Sequence, residues 1–116
     1  MSFTSTCHCG ALSATVEGDL PTTAKTCNCS ICRRQGNIHH FVPADKVTFD
    51  REEDQVGEYT FNKHVIAHQF CTNCGCAPFA EGTGPDGSAM VEINLRCVPD
   101  CDLDALEITE IDGASR

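Results

Sequence analysis

The sequence has no tryptophan and a single tyrosine, and aromatic residues make up only 6% of its 116 positions. Aromatic side chains supply the largest buried areas, so the core has to be thin and built from smaller aliphatic residues. Basic residues are scarce too. Eight lysines and arginines face seventeen aspartates and glutamates, for a net charge of −9. Binding to nucleic acid needs a basic face for the phosphates, and this deficit argues against it. No apolar run approaches the roughly 20 residues of a membrane span. The opening Met1-Ser2-Phe3-Thr4-Ser5-Thr6 is polar and lacks a signal-peptide core, which makes a cytoplasmic protein the expectation. Gly-x-Ser-x-Gly, the phosphate loop and the dinucleotide fingerprint are all missing.

Cysteine is abundant, with ten in the chain. A chain this short buries only a small core and gains from a staple. That leaves disulfides or metal. A reducing cytosol favours metal, and so does the spacing. Cys-x-Cys and Cys-x-x-Cys are chelating pairs, whereas disulfide frameworks spread their cysteines out.

Periodicity gives a mainly β fold: a small single domain over residues 1–116, with short antiparallel strands around zinc sites. Residues 11–17 alternate, with Leu12, Ala14 and Val16 on one face. Residues 21–26 are Thr-rich and extended, and deliver Cys27. Together they read as a strand–turn–strand unit with a cysteine cluster at each end. Further strands are expected at 38–42, 47–49, 58–61, 64–70, 89–95 and Glu107–Ile111. Asn62-Lys63 and 82–87 read as turns, and 51–55 as a charged loop. Arg33 to Gln35 reads as one helical turn stopped by Gly36.

Cys71-x-x-Cys74-Gly75 is a zinc knuckle, whose glycine tolerates the left-handed backbone of the turn. A knuckle gives two ligands and a closed site needs four. Cys7-x-Cys9-Gly10 is the natural second pair, making a four-thiolate structural zinc. Cys27, Cys29 and Cys32 remain as a group of three. Ser30 is placed to cap the turn that follows, and Arg33 and Arg34 favour thiolate over thiol. Spacing alone leaves this second site either open or closed by Cys76, Cys97, Cys101, His39 or His40. Cys76 otherwise reads as a buried free thiol, and Cys97 and Cys101 as packing residues. His39 and His40 read as exposed strand-end residues or a proton shuttle. His8, His64 and His68 read as structural or surface residues.

Three segments together carry a family likeness: Cys7-x-Cys9-Gly10, Cys27-x-Cys29-Ser30-x-Cys32-Arg33-Arg34 and Phe70-Cys71-x-x-Cys74-Gly75. They resemble the three-part motif of the glutathione-dependent formaldehyde-activating enzymes, a family that includes the related domain of centromere protein V. Ile93-Asn94-Leu95-Arg96-Cys97 and Ile111-Asp112-Gly113 resemble its later segments. The resemblance implies a tent-like arrangement of sheets around zinc, with two zinc ions per chain. Cys7, Cys9, Cys71 and Cys74 would hold the structural zinc. Cys27, Cys29 and Cys32 would hold a second zinc whose remaining position accepts the thiol of glutathione. The implied activity is that of a carbon–sulfur lyase or synthase, adding that thiol to formaldehyde or another small aldehyde to give S-hydroxymethylglutathione. Arg33 and Arg34, with Arg96, would balance the charge of glutathione. The alternative is a non-catalytic zinc scaffold that binds a partner.

Overall fold

Alternation along the strands sorts the side chains into layers. A computed structural model describes residues 1–60, 66–84 and 86–115. The strands are, in chain order, β1 (Ser2–Thr6), β2 (Leu12–Glu17), β3 (Thr23–Cys27), β4 (His39–Pro43) and β5 (Val47–Arg51). They continue as β6 (Val56–Tyr59), β7 (Ala67–Cys71), β8 (Phe79–Thr83), β9 (Ala89–Asn94) and β10 (Glu107–Ile111). One short helix, α1 (Ser30–Gln35), interrupts them between β3 and β4.

The first sheet is antiparallel in the order β1-β2-β5. Its inner face carries the lines Phe3–Val16–Val47 and Ser5–Ala14–Phe49, followed by Leu12 opposite Arg51. The second sheet runs β10-β3-β4-β9-β8-β7-β6. Its inner face supplies Val42, Val91, Ile93 and Phe79, all buried against the first sheet's apolar line. Burying a side chain of this kind is worth about 1.5–3 kcal/mol. Two polar ties join the layers. Ser5 Oγ, wholly buried, donates to the Pro78 carbonyl at 2.8 Å. Arg51 Nη1 donates to Gln69 Oε1 at 2.7 Å, while its guanidinium lies 4.1 Å over the Phe49 ring.

The outer face of the second sheet differs in chemistry. Phe41, Glu92, Ala80, His68 and Tyr59 stand in one cross-strand line through β4, β9, β8, β7 and β6. Cys32 of α1 meets this face at His39 and Glu92.

The mainly β expectation holds, with two corrections. The strand–turn–strand unit of residues 11–27 is present as β2 and β3, which enter different sheets. Among the described residues the antiparallel pattern has one exception, β10 against β3, which is parallel. The loop at 51–55 is half structured: Arg51 ends β5, and Glu53–Gln55 is a single 3₁₀ turn. Phe61, the turn at Asn62-Lys63, His64 and Val65 lie outside the described residues, as does Pro85. Among the described residues no helix is long and apolar enough to cross a membrane.

Candidate metal centres

The first centre is built from two glycine-ended turns at the margin of the two sheets. Cys7 follows β1, and Leu12 at the start of β2 donates its backbone N–H to Cys7 Sγ at 3.3 Å. Gly10 closes that turn at φ 86°. Cys71 ends β7, and Gly75 closes the knuckle at φ 81° with its N–H on the Cys71 carbonyl at 2.8 Å. All four sulfurs of Cys7, Cys9, Cys71 and Cys74 lie within 4.8 Å of one another.

Zinc–sulfur bonds of about 2.3 Å in a tetrahedron place the sulfurs about 3.8 Å apart. Cys7 Sγ and Cys9 Sγ are 3.7 Å apart, and Cys9 Sγ and Cys71 Sγ 3.5 Å. The group therefore has the dimensions of a four-thiolate zinc site. Backbone N–H groups of Cys76 and Cys9 hold the Cys74 thiol down at about 5. The Asn73 side chain lowers Cys9. Cys71 is pulled down by the Cys74 N–H, but burial and the Cys9 and Cys74 sulfurs together take it up to about 11. Thiols crowded this closely share protons, and a cation replaces those protons at lower cost.

The second group lies where β3 meets α1. Cys27 is the last residue of β3, Cys29 is the N-cap of α1, and Cys32 is buried within the helix. The three sulfurs lie within 4.8 Å of one another. Ser30 does not cap the helix as expected. A cap residue keeps an extended backbone, and Cys29 has it, at φ −64° and ψ 166°. Gly36 ends the helix in the left-handed conformation, as its position foretold. Burial pushes the Cys29 thiol up, but the N–H groups of Cys32 and Ile31 and the neighbouring sulfurs leave it lowered. Burial, reinforced by Cys29, pushes Cys32 well up.

Arg33 and Arg34 are exposed in the last turn of α1. Arg34 Nη1 donates to the Ser30 carbonyl at 2.7 Å, and the side chain borders an open groove of about 260 Å³ with Ser30, Ile31 and Tyr59. Arg96 Nε is tied to the Gly36 carbonyl at 2.8 Å.

The C-terminal segment forms the floor of this group. Ile111 pairs with Cys27, and Asn28 donates to Asp112 Oδ1 at 3.1 Å and accepts from the Ala114 N–H at 2.9 Å. Gly113 then packs so closely that a Cβ there would sit 2.5 Å from Cys27 Sγ and 3.1 Å from Cys29 Cβ.

Of the residues considered for closing the second site, none joins all three sulfurs among the described residues. Cys76, Cys97 and Cys101 are half-buried free thiols. Burial raises Cys97 to about 11, and its sulfur faces the Asn94 amide at 3.6 Å. The two histidines are not an exposed pair. His39 is 1% exposed, under α1 on the outer face, while His40 is half-buried on the inner face beside Phe3. Helix α1 covers the outer face of β4 at His39, while Phe41 on the same face stays exposed. His39 and Glu92 group with Cys32 within 4.8 Å, a combination that the sequence reading did not find. Residues 32, 39 and 92 share no local spacing signal.

Residues 2–106 match the model of the glutathione-dependent formaldehyde-activating enzyme family, and the match takes in all ten cysteines. The chain belongs to that family. The crystal structure of a Rhodobacter sphaeroides protein superposes with a TM-score of 0.75. It is 24% identical, and the alignment covers 91% of this chain and 99% of that one. At this identity the likeness speaks to the fold. The family match stops short of β10, so the floor supplied by Gly113 lies beyond the matched residues.

Proposed function

We propose that this chain is a zinc-dependent carbon–sulfur lyase or synthase that joins the thiol of glutathione to formaldehyde or another small aldehyde. The contrast between the two sulfur groups carries the reading: four sulfurs converge in one, and three in the other with no fourth chain ligand common to them among the described residues. In this reading Cys7, Cys9, Cys71 and Cys74 hold a structural zinc. Cys27, Cys29 and Cys32 hold the second, with one position left for an external thiol.

A zinc held by these residues would acidify a bound thiol and so make a thiolate available near neutral pH. The chain's own residues bind and orient. Arg33 and Arg34 offset the anionic charge of glutathione in a protein whose net charge is −9. The groove along Arg34 and Tyr59 gives part of an extended tripeptide a surface to lie on. Gly113 keeps the Cys27 side free of any side chain. In the reaction a sulfur lone pair forms the bond to the carbonyl carbon, the thiol proton leaves, and the carbonyl oxygen gains a proton to become the hydroxyl. Ten free cysteines suit a reducing compartment, which supports a cytoplasmic location.

Titrating glutathione into cobalt-substituted protein should shift the thiolate–metal charge-transfer band, and Cys29→Ala should abolish the shift. Carbon-13 formaldehyde added with glutathione should then give the hydroxymethyl thioether signal faster than the uncatalysed mixture. A spectrum that glutathione leaves untouched would turn the reading to a closed, non-catalytic scaffold.

A further inference from the structure

His39 is almost wholly buried, and its Nδ1 lies against Glu92 Oε1. Even so, neither ring nitrogen makes a hydrogen bond of ordinary geometry within the described residues. Buried polar nitrogens in this state are costly, and each calls for an explanation. Cys32 Sγ, a His39 ring nitrogen and a Glu92 carboxylate oxygen lie within 4.8 Å of one another. They come from α1, β4 and β9, so tertiary packing alone brings them together. The register places His39 opposite Asn94 and Phe41 opposite Glu92, which makes His39 and Glu92 diagonal neighbours. A cavity of about 10 Å³ opens beside all three, with Asn37 and His68 also on its wall. That is room for about one water molecule and too little for a tripeptide.

We propose that Cys32, His39 and Glu92 form a third metal position, sharing the Cys32 sulfur with the three-cysteine site. It would take a divalent transition metal such as zinc, with one water as fourth ligand. Three mixed sulfur, nitrogen and oxygen donors plus a water make an open zinc shell. A thiolate among them disfavours magnesium and calcium, which take oxygen ligands. His39 does not simply complete the neighbouring site, because it groups with Cys32 but not with both Cys27 and Cys29. A bridging thiolate has the lone pairs for two metals. The position has only three chain ligands and shares one of them, so it fills last. The inference rests on the reading that Cys27, Cys29 and Cys32 hold zinc.

The test is a metal count on the full chain by native mass spectrometry, before and after added zinc, with cobalt absorption alongside. Protein as purified should hold about two zinc ions, and added zinc should bring about three. His39→Gln and Glu92→Gln should stop at about two, with far-UV circular dichroism unchanged. The cobalt bands of the third equivalent should also be lost in both. If His39→Gln fails to fold, Glu92→Gln carries the comparison. Saturation of the native chain at about two overturns the third position alone, even where His39→Gln alters the second site's spectrum. Saturation at about one overturns the thiolate reading with it. A third equivalent kept by both folded variants also overturns the proposal.

Discussion

Gly113 is a residue where one carbon atom matters to the second sulfur group. Its φ is not in the left-handed region, so alanine is tolerated by the backbone and the conflict is with Cys27 Sγ and, less severely, Cys29 Cβ. Gly113→Ala should weaken metal retention at the second group by about tenfold, roughly 1.4 kcal/mol, and leave the first untouched. Release to a colorimetric chelator would measure both rates. Cys74→Ala and Cys29→Ala should separate the two groups differently. A structural zinc contributes on the order of 10–16 kcal/mol, as much as a whole domain's stability of about 5–15 kcal/mol. Cys74→Ala should therefore unfold the chain at room temperature, while Cys29→Ala melts cooperatively and loses glutathione binding. Matching melting curves would remove the distinction. Single residues were legible where chemistry is local. The seven clustered cysteines announce chelation by spacing. Gly113, Ser5 and His39 do not, because their meaning comes from partners far off in sequence: Cys27 for Gly113, Pro78 for Ser5 and Glu92 for His39.

At the scale of elements, α1 depends on how it ends. Gly36 adopts φ 72°, and its N–H closes on the Cys32 carbonyl at 2.8 Å. A Cβ there meets nothing within 4 Å, so the cost of alanine is backbone strain alone. Gly36→Ala should cost about 1 kcal/mol, visible as a lower melting temperature, and Gly36→Asn should cost less. Equal losses in the two variants would argue for a packing role instead. The helical stop and the strand alternation were readable because both are patterns within a few residues. The parallel union of β10 with β3 was not. It joins Glu107–Ile111 to Thr23–Cys27, and no short-range rule links segments so far apart. The same limit applies to β2 and β3: residues 11–27 carry two strand signals but no record of which sheet each enters.

For the whole molecule, the two sulfur groups differ in how much chain they close. Cys9 and Cys71 are 62 positions apart, and their group pins the first sheet to the end of β7 in the second. Cys27 to Cys32 spans six residues of one local turn. Loop closure scales as 1.5RT times the logarithm of length, so the long-range group offsets about 2 kcal/mol more chain entropy than the local one. Metal removal should accordingly run in two stages. A mild chelator should take the metal of Cys27, Cys29 and Cys32 with little change in far-UV circular dichroism. A stronger one should take the metal of Cys7, Cys9, Cys71 and Cys74 in a single cooperative unfolding step. Metal release and circular dichroism followed together would test this, and loss of structure in step with the first metal released would contradict it.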